Sequence, residues 1–182
     1  MDEKLQIRKV LKGDTSAFGY FVDTCQDMAL TIAYRICGNR QDAEDIVQES
    51  FVKAFHNLHT FKSDSKFSTW FYRIVYNTAI TEIRSASHQV RYVDYEQMEP
   101  ADSVTDFDTL NRIEEEERKE LLNRALDRMP RDESLILTLF YLEENSVKEI
   151  TQITGFTESN IKVKLHRARK RMYDIMTELM KQ

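Results

Sequence analysis

The sequence predicts an all-α protein built from two small helical domains. Four glycines and two prolines are few for 182 residues, and the helix-favouring residues Leu, Ala, Glu, Lys and Arg are abundant. Apolar residues also recur at steps of three and four along most of the chain, which is the spacing of helices with one buried face. Together these observations favour long helices over a turn-rich β fold.

Three amphipathic helices are predicted in the first half of the chain. One apolar stripe covers residues 18–36 and stops at Gly38, a residue type that commonly ends helices. A second helix is predicted over residues 42–58, DAEDIVQESFVKAFHNL, and a third over residues 69–84, TWFYRIVYNTAITEIR. These three helices are expected to form the first domain.

The second predicted helix carries a compact acidic and amide patch. Asp45, Gln48 and Glu49 lie away from its apolar stripe, near the N-terminal half of the helix. This arrangement suits a binding surface. Acidic residues early in a helix also interact favourably with the helix dipole, so simple capping and solvation is the alternative explanation.

The polar loop HTFKSDSKFS, residues 59–68, separates the second and third helices and is rich in aromatic and cationic side chains. Aromatic rings next to cations suit single-stranded nucleic acid, where unstacked bases need flat partners and phosphates need positive charge. The helical spacing of Trp70 and Phe71 favours a place in the core for most of the rings. Base contacts are therefore expected only from the loop and from exposed polar side chains of the following helix.

Residues from about Tyr92 to Thr109 are predicted to form a linker. The segment contains Pro100 and several acidic residues, and it lacks a sustained apolar period. Beyond it, one helical stripe stops before Pro130, and the next leads into the last part of the chain. The second domain is thus expected to be a compact helical unit.

Residues 146–171, SVKEITQITGFTESNIKVKLHRARKR, predict two short helices joined at a glycine. Ser146 and Glu149 have the spacing of a capping box, which marks the start of the first helix. Gly155 suits the positive φ of a helix end, and Thr157 is placed to cap the second helix. That helix has one continuous apolar stripe, formed by Ile161, Leu165, Ala168, Met172, Ile175 and Leu179.

The other side of this last helix is polar and basic. At about 100° per residue, the residues opposite the stripe are Ser159, Lys162, Val163, His166, Arg167 and Lys170. A helix-turn-helix needs one face docked on its own domain and the other free for the major groove of DNA. The pattern therefore predicts DNA binding, and the alternative is a solvated basic face without a partner.

Charge and composition limit the remaining possibilities. The net charge of −5 is unusual for a DNA-binding protein and suggests weak binding by the isolated chain or segregated charges. Acids dominate between Asp94 and Glu120, whereas only cations are charged between Asn160 and Arg171. Cys25 and Cys37 lie in apolar helical patterns and are expected to be buried, reduced thiols. No apolar run is long enough to cross a membrane, so membrane insertion is not expected.

Two other classes of protein compete with this interpretation. One is a helix-turn-helix regulator with a sensory first domain, which would predict a ligand pocket or a phosphoacceptor site. The other is an enzyme, for which the pair His56 and His59 would have to supply metal ligands. No third ligand cluster accompanies them, and no phosphate-binding glycine loop or nucleophile motif is present. We therefore expect no metal, no cofactor and no catalytic activity.

With these residues in view, nearly the whole chain resembles bacterial RNA polymerase sigma factors of the extracytoplasmic function class, group 4 of the sigma-70 family. The segments DAEDIVQESFVKAF and FSTWFYRIVYNTAI resemble region 2 of that family. The stretch from LDRMPRDESLILTLF to the last basic helix resembles region 4. The resemblance implies a region 2 domain over residues 1–92, a flexible acidic linker over 93–109 and a region 4 domain over 110–182.

The resemblance also implies roles for individual residues. Asp45, Gln48 and Glu49 would bind core polymerase. The −10 promoter element would be contacted by Phe61, Lys62, Ser63, Asp64, Phe67 and Asn77. The −35 element would be contacted by Ser159, Asn160, Lys162, Val163, His166, Arg167 and Lys170. The implied partners are core RNA polymerase, promoter DNA and, as is common in the family, an anti-sigma factor, all met in the cytoplasm.

Overall fold

A computed structural model describes residues 2–86 and 115–181. Every regular element in these two ranges is helical, which confirms the all-α prediction. The helices are α1 (Glu3–Leu11), α2 (Gly19–Cys37), α3 (Arg40–Asn57), α4 (Phe67–Ala86), α5 (Glu115–Arg128), α6 (Arg131–Leu137), α7 (Val147–Thr154) and α8 (Glu158–Leu179). Short 3₁₀ turns occupy Thr15–Phe18 and Leu58–Thr60, and a π turn occupies Thr138–Leu142. The predicted linker and both predicted domain boundaries lie outside the described residues.

The helix ends follow from local side-chain chemistry. Gly38 ends α2 with φ 83°, and Asn39 then caps α3 by accepting a hydrogen bond from the Asp42 amide at 2.8 Å. Ser146 and Glu149 form the predicted capping box at the start of α7. The capping box therefore fixes where the first helix of the helix-turn-helix begins.

The first domain packs α2, α3 and α4 against one another around aromatic rings. The rings of Phe21 and Phe67 are 4.1 Å apart between centroids, and those of Phe51 and Phe71 are 4.4 Å apart. Phe21, Phe67 and Phe71 are almost completely buried. Such rings bury much apolar area and pack the three helices against one another.

In the second domain, α6 and α7 pack against α8, and α5 packs along its C-terminal part. Ala125 of α5 forms a small buried cluster with Met176 and Leu179 of α8. Cys25 in the first domain is buried as predicted, whereas Cys37 is only half-buried; both are free thiols. The prediction of a buried thiol is therefore wrong for Cys37, because this residue is the last of α2 and the chain leaves the core there.

The two domains contact each other directly. Helix α4 packs against α7, and α2 packs against α6. The main apolar cluster is continuous across both domains and includes Phe71 of α4 together with Ile150 and Ile153 of α7. The helix that follows the aromatic loop is thus packed against the first helix of the helix-turn-helix.

Candidate nucleic-acid interface

Helix α8 has the two-sided construction that the sequence predicts. Ile161, Leu165 and Ala168 are almost completely buried against the rest of the second domain. On the other side Ser159, Asn160, Lys162, His166 and Lys170 are exposed, as is Val163, which keeps 46% of its accessible surface. Arg167 is half-buried at the edge of this face. An apolar side chain left exposed among cations suits contact with a thymine methyl group in the major groove.

The cations of α8 fall into two groups that the sequence did not separate. Lys164 forms an ion pair with Asp132 of α6. Arg171 pairs with Glu133 at 2.8 Å, and the Arg169 Nε donates a hydrogen bond to the Tyr141 hydroxyl at 2.7 Å. These three cations fasten α8 to its own domain. The exposed face is consequently narrower than the run of basic residues suggests.

The turn between α7 and α8 is defined by three consecutive residues. Gly155 has φ 77°, and Thr157 caps α8 by accepting a hydrogen bond from the Asn160 amide at 3.2 Å. Phe156 between them packs against the core, and the Lys164 ammonium lies 5.4 Å from the centre of its ring. The turn therefore holds α8 at a fixed angle to α7, as a helix-turn-helix requires.

The loop before α4 places exposed polar side chains next to partly buried aromatic rings. Lys62, Ser63 and Asp64 are exposed, and Ser63 has the left-handed φ of 59°. Phe61 is half-buried, with its ring centre 5.3 Å from that of Trp70. Phe61 and Trp70 thus offer partly open aromatic faces beside the exposed polar residues of the loop.

Phe67 differs from the other residues predicted to contact the −10 element. It is the first residue of α4, its side chain is 1% exposed, and its ring packs on Phe21. The ring is held in the core and is not available to a base. The aromatic spacing in the sequence did not distinguish this core position from the half-open position of Phe61.

Asn77 lies on the solvent side of α4, two turns beyond Trp70. Its backbone oxygen accepts a hydrogen bond from the Thr81 hydroxyl at 2.8 Å. Arg73, one turn earlier, is also exposed. This side of α4 continues the polar surface of the loop.

The acidic patch on α3 is exposed. Asp45, Gln48 and Glu49 all lie at the surface, while the other side of the helix is buried through Ala43, Ile46, Val47, Ser50 and Ala54. Glu49 forms an ion pair with Lys53 at 2.7 Å, but both side chains stay about half exposed. The side chains of the patch do not cap the helix, because Asn39 and Asp42 make the capping hydrogen bonds one turn earlier.

The structure brings together no group of three metal-ligating side chains in either described range. His56 and His59 are exposed, and a ring nitrogen of His59 lies 3.0 Å from the His56 backbone oxygen. This contact uses the backbone of His56 and not its ring. None of the helices in the described ranges is long and apolar enough to cross a membrane.

Sequence reasoning missed an apolar groove of about 720 Å³ between α5, the π turn and α8. Tyr141, Leu142, Tyr173 and Met180 are exposed along or within it. Exposed apolar patches of this kind commonly mark protein contacts. The sequence pattern hardly indicates this groove, because its residues lie beside the apolar stripes and resemble the scattered apolar residues of any protein surface.

Comparison with known proteins finds two family models that match separate parts of the chain. Residues 21–89 match the family model for sigma-70 region 2, and residues 119–172 match that for sigma-70 region 4. The chain is 32% identical to the ECF RNA polymerase sigma factor SigW of Bacillus subtilis, over 97% of both proteins. It is 30% identical to the ECF RNA polymerase sigma-E factor of Salmonella typhimurium, over 93% of this chain and 92% of that protein.

Two solved structures have a similar fold. The sigma factor RpoE of Bartonella quintana, in complex with the anti-sigma factor NepR, matches with a TM-score of 0.66 and 19% identity, over 88% of this chain and 96% of that one. CnrH, in complex with the cytosolic domain of CnrY, matches with a TM-score of 0.62 and 22% identity over 97% of both chains. The chain therefore belongs to the extracytoplasmic function sigma factors of the sigma-70 family, and it is an alternative sigma factor that binds core RNA polymerase and directs promoter-specific transcription initiation.

Proposed function

We propose that three separate surfaces of this sigma factor each bind a different partner during transcription initiation. The α3 patch of Asp45, Gln48 and Glu49 binds core polymerase. The loop before α4, with Asn77, captures unpaired bases of the −10 element, and the exposed face of α8 reads the −35 element. The observation that carries the proposal is that each surface is exposed on an element that is anchored to a buried core.

The α3 patch is supported by its chemistry as well as its exposure. Two carboxylates and an amide lie on one side of a helix whose buried side is purely structural. Such a patch complements a basic surface on a partner, which speeds association and fixes orientation. The same acidic surface would repel DNA, so it suits a protein partner better than a promoter.

For the −10 element, the loop offers both of the contacts that an extruded base needs. Phe61 provides a partly open ring for stacking, and Lys62 provides a charge for phosphate. Ser63 and Asp64 supply hydrogen-bonding groups close to that ring. Capture of bases in such a pocket offsets an unstacking cost of a few kcal/mol, so melting needs no bond chemistry from this protein. Because Phe67 is buried, we assign it the support of the loop.

For the −35 element, we propose that α8 enters the major groove with its N-terminal half. Ser159 and Asn160 lie at the start of the helix, where backbone amides and short polar side chains approach phosphates. Lys162, Val163, His166 and Arg167 then face base edges, and Lys170 lies one turn further on, near the backbone. The pairs that fasten Lys164, Arg169 and Arg171 keep the helix in this orientation.

We further propose functional domains over residues 1–92 and 110–182, joined by the acidic linker 93–109, in a protein that works in the cytoplasm without catalytic activity of its own. An anti-sigma factor is a further expected partner. Support comes from two similar folds, which are described as complexes with the anti-sigma factor NepR and with the cytosolic domain of CnrY.

The test is transcription in vitro with purified core polymerase and a promoter library. The chain should select promoters with two elements, and a double variant with Asp45→Lys and Glu49→Lys should bind core polymerase at least about tenfold more weakly. A charge-matched control is Asp23→Lys with Asp27→Lys, two exposed acids on α2 of the same domain. Circular dichroism should show unchanged helicity in both. Equal core affinity of the two double variants would contradict the assignment of the α3 patch.

A further inference from the structure

Helix α1 carries a row of exposed cations that none of the three proposed surfaces uses. Lys4, Arg8 and Lys12 follow one another at steps of four, so they lie on one side of the helix, about 6 Å apart along its axis. Lys9 lies beside them, and all four residues are exposed. In the two described ranges none of these cations forms an ion pair. The row is therefore a positively charged surface on a chain whose net charge is −5.

The two acidic residues at the start of α1 both bind backbone amides. Asp2 caps α1 by accepting a hydrogen bond from the Lys4 amide at 3.0 Å. Glu3 accepts a hydrogen bond from the amide of Phe67, the first residue of α4, at 3.3 Å. The carboxylates thus support the fold, and the exposed side of the helix is left to the cations.

The helix dipole explains only part of the row. Arg8 and Lys9 lie in the last turn of α1 and Lys12 directly follows it, and cations are stabilised at this negative end. Lys4 lies in the first turn, where the positive end of the dipole disfavours a cation. Its charge therefore suits a role in binding better than a role in the stability of the helix.

The hydrogen bond of Glu3 places the row beside the loop assigned to the −10 element. Lys4 directly follows Glu3, and Phe67 directly follows Lys66 of that loop. Helix α1 also contacts the 3₁₀ turn Leu58–Thr60 at the other end of the loop. The cations therefore begin next to the loop and continue along α1 for about 12 Å.

We propose that the α1 row, Lys4, Arg8, Lys9 and Lys12, binds phosphates of the unpaired DNA strand where that strand leaves the loop before α4. The inference rests on the proposed −10 function of the loop. Proteins that bind single strands combine aromatic rings, on which bases stack, with a positively charged surface that follows the backbone. Phe61 supplies a ring in the loop, and the α1 row supplies the charged surface next to it.

An anionic membrane is the other ligand that such a row could attract. Basic helices that lie on membranes bury a continuous apolar face among the lipids. In α1 that face is already occupied, because Ile7 and Val10 are buried in the core of the first domain. Leu5 and Leu11 are 42% and 53% exposed, but six residues separate them by about 120° around the helix, so they form no common face. These observations favour nucleic acid.

The experiment uses holoenzyme assembled from core polymerase and the full chain. One variant combines Lys4→Gln with Arg8→Gln, and a second combines Lys9→Gln with Lys12→Gln. The charge-matched control combines Arg124→Gln with Arg128→Gln, two exposed arginines one turn apart on α5. A conservative variant, Lys4→Arg with Arg8→Lys, keeps the charge. Circular dichroism checks the helicity of each protein.

The probes are labelled single strands from promoters that the wild-type chain selects. A short strand carries only the −10 element, and a long strand adds about ten nucleotides on each side. Fluorescence anisotropy at several salt concentrations measures the affinity of each holoenzyme for both strands.

Both glutamine variants should bind the long strand at least about fivefold more weakly than wild type, with a smaller loss on the short strand. The slope of log affinity against log salt should fall by about 1.4, as expected for two phosphate contacts on a single strand. The loss should be the same for any flanking sequence, because phosphates carry no sequence information. The conservative variant should restore binding.

Equal affinity of the control and either glutamine variant for the long strand would overturn the proposal. If the glutamine variants instead lost binding to phosphatidylglycerol vesicles while their DNA affinity was unchanged, the row would be a membrane contact. Failure of the −10 function would be recognised separately, because wild type would then bind a scrambled strand of equal length as tightly as the −10 strand.

Discussion

The guanidinium of Arg131 lies beside Gly38 and donates a hydrogen bond to the nearby Ile36 carbonyl at 3.0 Å. A side chain at position 38 would bring its Cβ into steric overlap with Nη2 of Arg131 and to within 2.9 Å of Cζ. The φ of 83° therefore favours glycine at this position, and a Cβ there would in addition displace the flexible end of the Arg131 side chain.

Substitution of Gly38 should cost more stability than substitution of a glycine with the same backbone but open surroundings. Gly155 is that control, because it has φ 77° and a Cβ at this position would meet nothing within 4 Å. Each change to alanine costs about 1–2 kcal/mol for the left-handed conformation, and Gly38→Ala must also displace Arg131. Urea denaturation should show a larger loss for Gly38→Ala. Equal losses would mean that Arg131 moves aside without consequence.

A pH-dependent effect is expected at Glu143. Burial raises the pKa of this carboxyl above its ordinary value of 4.5, although the Tyr72 hydrogen bond and the Lys66 charge act in the opposite direction and Glu149 adds to the rise. The folded state therefore holds this proton more tightly than the unfolded state does. Stability from this group is greatest below 4.5 and is lost as the pH rises through the raised pKa.

Replacement of Glu143 by glutamine should remove that loss. The amide oxygen can still accept the hydrogen bond from Tyr72, so Glu143→Gln should raise the unfolding midpoint at about pH 8 and change it little at about pH 4. The control is Glu144→Gln, the same change at an exposed neighbour. Thermal or urea unfolding at both pH values provides the measurement, and a gain of equal size at both would contradict the role of burial.

The features that the sequence predicted well are those fixed by nearby residues. The capping box of Ser146 and Glu149 and the helix end at Gly155 depend on backbone chemistry within a few positions. The periodic apolar stripe likewise identifies the buried side of α8, because a helix repeats locally.

The features that the sequence did not predict depend on distant partners. Lys164 and Arg171 pair with residues 32 and 38 positions away, so nothing in the basic run itself separated them from the exposed cations. Arg35 and Asp127 are 92 positions apart, and their ion pair depends on how the domains dock. Burial of Phe67 could not be predicted from the sequence either, because it depends on packing against Phe21 of another helix.

The −10 assignment predicts a specific defect in promoter melting. Asn77→Ala should impair opening of the −10 region more than initial binding, because the amide is proposed to contact bases only after they are unpaired. Glu82→Ala, an exposed change on another side of α4, is the control. Permanganate footprinting of unpaired thymines measures opening, and a gel-shift assay measures closed complexes. Equal loss of closed and open complexes would show that Asn77 only supports the fold.

The cations of α8 should separate into three classes when each is replaced by alanine. Arg167→Ala should relax preference at one position of the −35 element, because a guanidinium can contact guanine at two points, worth about 1–3 kcal/mol of discrimination. Lys170→Ala should weaken binding to all sequences alike and flatten its salt dependence, as expected for a phosphate contact. Arg171→Ala should lower stability, because it leaves Glu133 buried without its partner.

These three outcomes can be measured together with holoenzyme and a library randomised across the −35 element, at two salt concentrations, with unfolding followed in parallel. Holoenzyme with Arg167→Ala should lose its base preference at one position of the −35 element. Holoenzyme with Lys170→Ala should keep every base preference of wild type but bind all sequences with lower affinity. Arg171→Ala serves as the control for position on the helix, since it lies next to Lys170 but points to Glu133. If Arg167→Ala selects the same sequence as wild type, the reading face of α8 must be reassigned to Lys162, Val163 and His166, which are exposed on the same helix.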